Sequence, residues 1–365
     1  MKILVLNAGS SSLKCRYDDL EGPPPSDAPA PVWSASVELK ADDPLDAVLH
    51  DVLRSVPGAV DVVGHRIVHG GSIHKTSVVT KEVREAIVAA SAIAPEHNRR
   101  ELQLIDEARR FFGDRVRQIA VFDTAFHATL APAAYVYPGP YAWLDEGIRR
   151  FGFHGINHQY VSRRATEIVA AELVGPKIPG NPAALNSAVL NIVTCHLGNG
   201  GSLAAVRAGI CIDTTMGFTP LEGLMMGSRS GSVDPGILIH LMRRHGYTAD
   251  RLDDLLNRES GLLGVSGISE DMREVLAAMD RGNERARLAF EIYTHRLLRE
   301  IGGMIAVLGG LEVLVFTGGV GENCAPLRER IAENLKFLHP RVLVIHAEEE
   351  WEIARECQAL SRSAS

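Results

Sequence analysis

Three apolar runs in this chain end in turns of small residues. The runs at residues 3–6, 189–195 and 311–317 are typical of buried strands, and the sequences NAGSSS, HLGNGGS and GGVGEN follow them. A strand that ends in small residues lets backbone N–H groups approach a phosphate without hindrance from side chains. Glycine-rich turns often follow strands, but three of this composition indicate one polyphosphate that is contacted from both domains of a two-domain protein.

The rest of the chain alternates strand-like and helix-like patterns, which is typical of an α/β protein. At roughly 150 residues per domain, the 365 residues predict two domains. Further strands are predicted at 60–63, 117–122, 203–206, 210–213 and 342–345, and helices at 81–93, 101–112, 160–173, 237–244, 285–308, 325–335 and 348–360. Residues 22–31 are rich in proline and are predicted to form a loop. The stretch with Pro132, Pro138, Gly139 and Pro140 is the best candidate for the domain junction.

Charge and composition exclude several classes of protein. The net charge is −7 and the pI about 6.1, so nothing favours nucleic acid as the partner. No run approaches 18 apolar residues, and the apolar run at the N-terminus is too short for a signal peptide, so we expect no membrane partner. Five scattered cysteines without CxxC spacing predict reduced thiols in a cytoplasmic protein.

Several segments place a reactive side chain at a strand end or between glycines. Arg66 lies in GHRIVHGG, Asp123 lies in FDTAFH at the end of the predicted strand 117–122, His154 lies in GFHG, and Arg229 lies in MGSRSG. The NAGSSSLK segment is not a Walker A motif, but its hydroxyls, its amide and the ammonium of Lys14 suit a phosphate. Each segment alone has an ordinary explanation, such as a structural salt bridge or a helix cap.

Taken together, the segments resemble the acetate kinase family, within the superfold that acetate and sugar kinases share with Hsc70 and actin. The segments that carry the resemblance are NAGSSSLK, GHRIVHGG, FDTAFH, RRFGFHG, HLGNGGS, GFTPLEGLMMGSRSG, SEDMRE and FTGGVGEN, and it extends from residue 1 to about residue 355. It implies an α/β protein of two duplicated ribonuclease H-like domains with a central cleft. The N-terminal domain is expected at 1–125 plus 349–365, and the C-terminal, nucleotide-binding domain at 126–348.

The resemblance also implies a set of site residues. Asp123 matches the catalytic aspartate, His154 and Arg229 match groups that stabilise the transition state, and Arg66 matches the residue that meets the substrate carboxylate. The acyl pocket corresponds to Val68, Phe153 and Pro220, and the magnesium site to Asn7 and Glu349, with the register among Glu348, Glu349 and Glu350 open. The nucleotide contacts correspond to Ser10, Ser12, Lys14, His196, Leu197, Gly198, Asn199, Gly200, Asp271, Met272, Arg273, Gly319, Val320, Gly321, Glu322 and Asn323.

The implied activity is reversible phosphoryl transfer from ATP to acetate, which gives ADP and acetyl phosphate and depends on Mg²⁺ or Mn²⁺. A carboxylate is already ionised near pH 7, so the reaction needs no base, and the difficulty is the approach of two anions. We therefore hypothesise that Asp123 orients metal-bound water or cationic side chains and removes no proton. The alternatives are a kinase for propionate or butyrate, a pyrophosphate-dependent relative, and a non-catalytic ATP-gated protein of the same superfold. A homodimer is implied by the resemblance alone.

One position departs from the family pattern. The family carries a leucine that lines the acyl pocket where this chain has Glu96, in the segment PEHNR. Burying an unpaired carboxylate is costly, so Glu96 must be solvated, paired with Arg99 or Arg100, or turned away from the pocket. The identity of the preferred acid therefore stays open.

Overall fold

The computed structural model describes residues 1–9, 12–38, 45–91, 95–174 and 189–363, without the side chains of residues 45, 95–97 and 173–174. The strands are β1 (Lys2–Ala8), β2 (Ser12–Asp19), β3 (Trp33–Glu38), β4 (Val62–Ile67), β5 (Ser77–Val78), β6 (Arg117–Phe122), β7 (Asn191–Leu197), β8 (Gly201–Arg207), β9 (Ile210–Thr214), β10 (Val313–Thr317) and β11 (Arg341–Val344). The helices are α1 (Leu45–Arg54), α2 (Lys81–Ala90), α3 (Pro95–Phe112), α4 (Pro132–Tyr135), α5 (Ala142–Asp145), α6 (Gly155–Val174), α7 (Pro235–His245), α8 (Ala249–Arg258), α9 (Gly261–Ser266), α10 (Met272–Asp280), α11 (Glu284–Leu308), α12 (Gly318–Asn323), α13 (Ala325–Leu335) and α14 (Glu349–Ser363).

The chain forms two compact units. The N-terminal unit comprises Met1–Ala128, His154–Tyr160 and Glu348–Ser365, and the C-terminal unit comprises Thr129–Phe153 and Val161–Ala347. Within the described residues, no helix is both long enough and apolar enough to cross a bilayer.

The N-terminal unit is built on a sheet with the strand order β3-β2-β1-β4-β6-β5. Strands β1, β4 and β6 run parallel, whereas β2, β3 and β5 pair antiparallel to their neighbours. The apolar run of β1 is buried on both of its faces, as expected for a central parallel strand. Helix α14 covers one face closely, because a Cβ on Gly64 of β4 would lie only 2.6 Å from Cys357 Sγ.

The C-terminal unit is built on a second sheet, with the order β11-β10-β7-β8-β9. Strand β10 runs parallel to β7 and β11, and the β7-β8-β9 strands form an antiparallel meander. Helix α11 begins at an Asn283 side-chain cap and ends at Gly309, whose φ of 74° suits a left-handed C-cap. Its buried side chains, among them Phe290 and Leu297, join the β7 and β8 side chains in one core.

Most predicted elements are confirmed, but others, among them β3, α1, α8 and α10, were not predicted. Residues 12–19 form strand β2, for which no strand was predicted, and Ser12 belongs to this strand although it was predicted in the turn after β1. Helices α3 and α6 begin at Pro95 and Gly155, earlier than predicted, because proline suits the first turn of a helix and the polar start of α6 hides its period. Residues 318–323 form the short helix α12, where the small residues indicated a turn.

Candidate functional site

The sheet of the N-terminal unit brings three predicted site residues to one edge. Strands β1, β4 and β6 are parallel neighbours, with Leu6 beside His65 and Ile67 beside Phe122. The carboxyl ends of parallel strands meet at one edge, where α/β proteins bind their ligands. Asn7, Arg66 and Asp123 therefore lie together.

The Arg66 guanidinium is held by Asp123 and Asn7. Its Nη2 and Nε atoms donate to Asp123 Oδ2 at 2.6 and 3.1 Å, and its Nη1 donates to Asn7 Oδ1 at 3.2 Å. The Asp123 side chain is 1% exposed and that of Arg66 is 13% exposed. A guanidinium carries five N–H groups, so these bonds leave one N–H on each terminal nitrogen for a further acceptor.

The first turn of α14 adds carboxylates beside this pair. Asn7 Nδ2 donates to Glu350 Oε1 at 2.7 Å and to Glu349 Oε2 at 3.2 Å, and Glu349 lies 3.9 Å from Arg66 Nε. Glu348 instead lies 3.5 Å from Arg16. Of the three consecutive glutamates, Glu349 is thus the one whose carboxylate meets both Asn7 and Arg66.

Burial and charge oppose each other in this cluster. Burial would lower the pKa of Arg66, but the carboxylates of Asp123 and Glu349 outweigh it and raise that pKa above its ordinary value. Burial also raises the pKa of the Asp123 carboxyl, an effect that Arg66 opposes and Glu349 reinforces. Among the described side chains, the Arg66 guanidinium therefore lies among the carboxylates of Asp123 and Glu349, and a further cation would offset the surplus of negative charge.

His154 lies beside Asp123 through the backbone. The Gly155 N–H donates to the Asp123 carbonyl at 2.9 Å, and a Cβ on Gly155 would lie 2.1 Å from that oxygen, so this approach requires glycine. His154 itself has a φ of 56°, which costs a residue with a Cβ about 1–3 kcal/mol and is characteristic of functional sites.

Glu101 is a buried carboxylate that the sequence analysis did not single out. It is 1% exposed, and both of its oxygens lie 3.1 Å from the backbone nitrogen of Val68. Burial raises the pKa of Glu101 to about 8, although Arg66 and the Val68 N–H oppose the rise. Glu101 lies three residues, or about one helical turn, after Asn98, which is also buried in the structure. This helical spacing is the signal that the sequence offered for it.

Replacing Glu101 by Gln should make stability less sensitive to pH between about 5 and 8. A pKa raised by folding means that protonated Glu101 stabilises the fold below about pH 4.5, and that this contribution is lost as the pH rises towards 8. At roughly 1.4 kcal/mol per pH unit, the free energy of unfolding of the variant should improve relative to wild type by about 3 kcal/mol between about pH 5 and pH 8. Urea unfolding at both pH values measures this, with the exposed Glu85→Gln variant as control. Identical pH dependence in all three proteins would contradict the burial argument.

The C-terminal unit contains a cavity at the ends of β7 and β10. These strands are parallel neighbours, so the turn after β7 and helix α12 meet at one edge, and Gly318, with a φ of 78°, packs against the Leu197 carbonyl. The cavity measures about 680 Å³, which is within the range of small-molecule sites. It is lined by Gly198, Asn199, Glu270, Asp271, Met272, Arg273, Leu276, Gly319, Val320, Asn323 and Cys324.

Arg229 lies in a loop that hydrogen bonds hold in place. Its Nη1 donates to the Pro220 carbonyl at 3.2 Å, and its own carbonyl accepts the Met226 N–H at 3.1 Å. Burial lowers the pKa of Arg229 and Glu270 opposes the change, but a guanidinium stays charged at neutral pH.

Comparison with known proteins decides the family. The family model described as "Acetokinase family" matches residues 34–342. The chain belongs to the acetokinase family. The acetate kinase of Gloeobacter violaceus is 48% identical over 98% of both chains, and that of Cyanothece sp. is 44% identical over the whole of both.

Solved structures of family members confirm the fold. The acetate kinase of Porphyromonas gingivalis superposes with a TM-score of 0.83 at 34% identity, and covers 99% of both chains. A propionate kinase from Francisella tularensis gives 0.83 at 33% identity, with 98% of this chain and 99% of that chain covered. The predicted class is thus confirmed as the α/β architecture of acetate kinases, sugar kinases, Hsc70 and actin.

The predicted nucleotide residues divide into two groups. Gly198, Asn199, Asp271, Met272, Arg273, Gly319, Val320 and Asn323 line the cavity, together with Glu270, Leu276 and Cys324, which the sequence analysis missed. The predicted residues His196, Leu197, Gly200, Gly321 and Glu322 are not among the described lining residues.

Some predicted contacts have other positions in the structure. Leu197 is fully buried in the core, and the Glu322 carboxylate accepts the N–H groups of Gly318 and Ala347 at 2.9 and 3.0 Å. Ser12 and Lys14 lie on β2, where Lys14 is exposed and pairs with Asn7 across the hairpin. Ser10 and the side chain of Glu96 lie outside the described residues.

Proposed function

We propose that this chain is an acetate kinase, which transfers the γ-phosphoryl group of ATP reversibly to acetate. The observation that carries the proposal is Arg66 at the carboxyl edge of the first sheet, fixed by Asp123 with two terminal N–H groups left to donate. A planar fork of this kind binds a carboxylate bidentately. Val68, two residues after Arg66, together with Phe153 and Pro220, would line the site for the methyl group.

The roles of the other residues follow from the electrostatic problem of bringing two anions together. The cavity of the C-terminal unit is proposed to bind the nucleotide, with Arg229 and His154 stabilising charge on the transferred group. Asp123 accepts hydrogen bonds from Arg66 through both carboxylate oxygens and is proposed to orient it, because an ionised substrate needs no general base. The domain bounds 1–125 plus 349–365 and 126–348 remain part of this proposal.

Magnesium is proposed as the metal, with Asn7 and Glu349 as its protein ligands. Mg²⁺ is usually bound through one or two carboxylates and substrate phosphates, and it keeps several waters. The described residues contain no group of three or more His, Cys, Asp or Glu side chains placed to hold a metal. The Asn7 and Glu349 side chains do touch, through Asn7 Nδ2 and Glu349 Oε2, and both carry hard oxygen atoms that could turn to an ion. When bound, the ion would neutralise phosphate charge.

We also propose a cytoplasmic homodimer. All five cysteines are buried free thiols, which suits a reducing compartment. Helix α7 has no buried residue, and Ile237, Ile239 and Met242 on it are each about half exposed, which is unusual for apolar side chains of a monomer. Sedimentation at micromolar concentration measures the oligomeric state.

The decisive test is an assay of acyl phosphate formation. The protein is incubated with ATP, Mg²⁺ and acetate, propionate or butyrate, and hydroxylamine traps the acyl phosphate as a hydroxamate, which is measured as its coloured ferric complex. We expect acetate to give the highest kcat/KM. If none of the acids gave a hydroxamate, the proposal would be contradicted. A higher kcat/KM for propionate than for acetate would instead support a propionate kinase, the activity named for the relative from Francisella tularensis.

The acid preference should respond to Glu96. Replacing Glu96 by Leu would restore an apolar side chain at the family's pocket position and should raise kcat/KM for propionate relative to acetate by about tenfold, the lower end of what one methylene contributes in an apolar pocket. The ratio of the two kcat/KM values measures this, with Glu85→Gln as control. An unchanged ratio would show that Glu96 faces away from the acyl pocket.

A further inference from the structure

Tyr137, Arg150 and Glu222 form a hydrogen-bonded group in the C-terminal unit that has no role in the proposed mechanism so far. Arg150 Nη2 donates to Glu222 Oε1 at 2.8 Å, and the Tyr137 hydroxyl donates to Glu222 Oε2. Burial and the Glu222 carboxylate raise the pKa of Tyr137, so the phenol keeps the proton that it donates. The three side chains are thus joined through both carboxylate oxygens of Glu222.

The same three side chains hold the backbone of residues 215–222. Arg150 Nη1 donates to the carbonyls of Thr215 and Met216, both at 3.0 Å, while its Nη2 binds Glu222 at the other end of the segment. In the middle, the Phe218 N–H donates to the Tyr137 hydroxyl at 2.8 Å. Arg150 and Tyr137 therefore fix the beginning, the middle and the end of this segment.

The packing around Gly217 shows how closely the segment fits. A Cβ on Gly217 would lie 1.7 Å from Glu222 Oε2 and 2.1 Å from the Tyr137 hydroxyl. The Gly217 carbonyl accepts the N–H groups of Phe151 and Gly152 at 3.0 and 3.4 Å. The segment is therefore also hydrogen-bonded to residues 151 and 152, which directly precede Phe153.

Two groups of the proposed site depend on this segment. Pro220 lies between Phe218 and Glu222, the two residues that the Tyr137 hydroxyl contacts, and the Pro220 carbonyl accepts Arg229 Nη1 at 3.2 Å. Movement of the segment would thus displace an acyl-pocket residue and the guanidinium of Arg229 together. The nucleotide cavity has none of these three residues in its described lining.

We infer that Tyr137, Arg150 and Glu222 are positioning residues that set the acid preference of the proposed kinase by holding Pro220 and Arg229. The inference rests on the proposed function, because it assigns Pro220 to the acyl pocket. Because the group lines no described part of the proposed nucleotide cavity, it should affect acid recognition and Arg229 without changing the affinity for ATP.

The test replaces Tyr137 by Phe, which removes one hydroxyl and leaves the ring. Loss of the bonds to Phe218 and Glu222 should raise KM for acetate about tenfold and change the ratio of kcat/KM for acetate and propionate, while KM for ATP stays within about twofold. Tyr135→Phe is the matched control, because that ring stacks under Arg149 at 3.8 Å and its hydroxyl is no part of the group. Circular dichroism melting shows whether each variant is folded.

A second pair of variants tests the carboxylate. Glu222→Gln keeps a hydrogen-bonding side chain of the same shape, so its KM for acetate should stay near the wild-type value, whereas that of Glu222→Ala should rise. This pair decides the inference if the Tyr137 variant does not fold. If KM for acetate and KM for ATP rose together while the melting temperature fell, the group would be merely structural and the inference would be overturned. Variants indistinguishable from Tyr135→Phe would overturn it as well. Absence of acyl phosphate from the wild-type protein would instead refute the proposed function.

Discussion

An Arg66→Ala protein should lose about 10²–10³-fold in kcat/KM for acetate, or roughly 2–4 kcal/mol of transition-state stabilisation. Each terminal nitrogen of Arg66 keeps one N–H beyond its bonds to Asp123 and Asn7. The other described members of this cluster are carboxylates and an amide, so none of them replaces the guanidinium. Steady-state kinetics with acetate and ATP varied separately measure the loss.

The same variant should also be unstable. Removing one partner of a buried ion pair leaves the other charge without compensation and costs about 3–5 kcal/mol. Asp123 is 1% exposed and would be left in this state. The double variant with Arg66→Ala and Asp123→Asn removes both charges, so it should recover much of the free energy of unfolding while its activity remains lost.

This cycle separates two explanations for Arg66. A purely structural salt bridge predicts that the double variant has the same kcat/KM for acetate as Asp123→Asn alone, whereas a substrate clamp predicts a further loss when Arg66 is also removed. Near-normal kcat/KM in folded Arg66→Ala protein would exclude the clamp.

The strand ends of the site could be predicted from the sequence because they depend on local patterns. The apolar runs before Asn7 and Asp123 fixed both positions, and the order of buried strands then brings parallel ends to one edge. The contacts among side chains could not be predicted in this way. Asn7 meets Glu350 across 343 positions of sequence, and no periodicity relates such distant residues.

Small residues gave an ambiguous signal. The glycines of residues 318–323 indicated a turn, but the segment forms helix α12, and Glu322 within it caps the N–H groups of Gly318 and Ala347. Glycine permits both conformations, so the outcome depends on the tertiary contacts that the carboxylate finds. Glu101 was missed for the opposite reason, because a glutamate in a helix is usually exposed and only the fold buries it.

Asp123→Asn should separate the orientation of Arg66 from the handling of the metal. The amide keeps one oxygen for the guanidinium but loses the negative charge, so kcat should fall by about 10²–10³-fold, and half-maximal activity should need a higher concentration of Mg²⁺. Titration of Mg²⁺ at saturating ATP and acetate, with the free ion concentration fixed, measures both quantities.

The matched control is Asp18→Asn, which neutralises another buried partner of an arginine in the same unit. Arg16 Nε binds Asp18 Oδ2 at 2.7 Å, and both side chains are less than a tenth exposed, so the loss of stability should be comparable while the Mg²⁺ requirement stays at the wild-type value. If Asp123→Asn lowered kcat without moving the Mg²⁺ requirement, Asp123 would act on Arg66 alone. Wild-type kcat in a folded Asp123→Asn protein would remove Asp123 from the mechanism, because its charge would then contribute neither to the clamp nor to the metal.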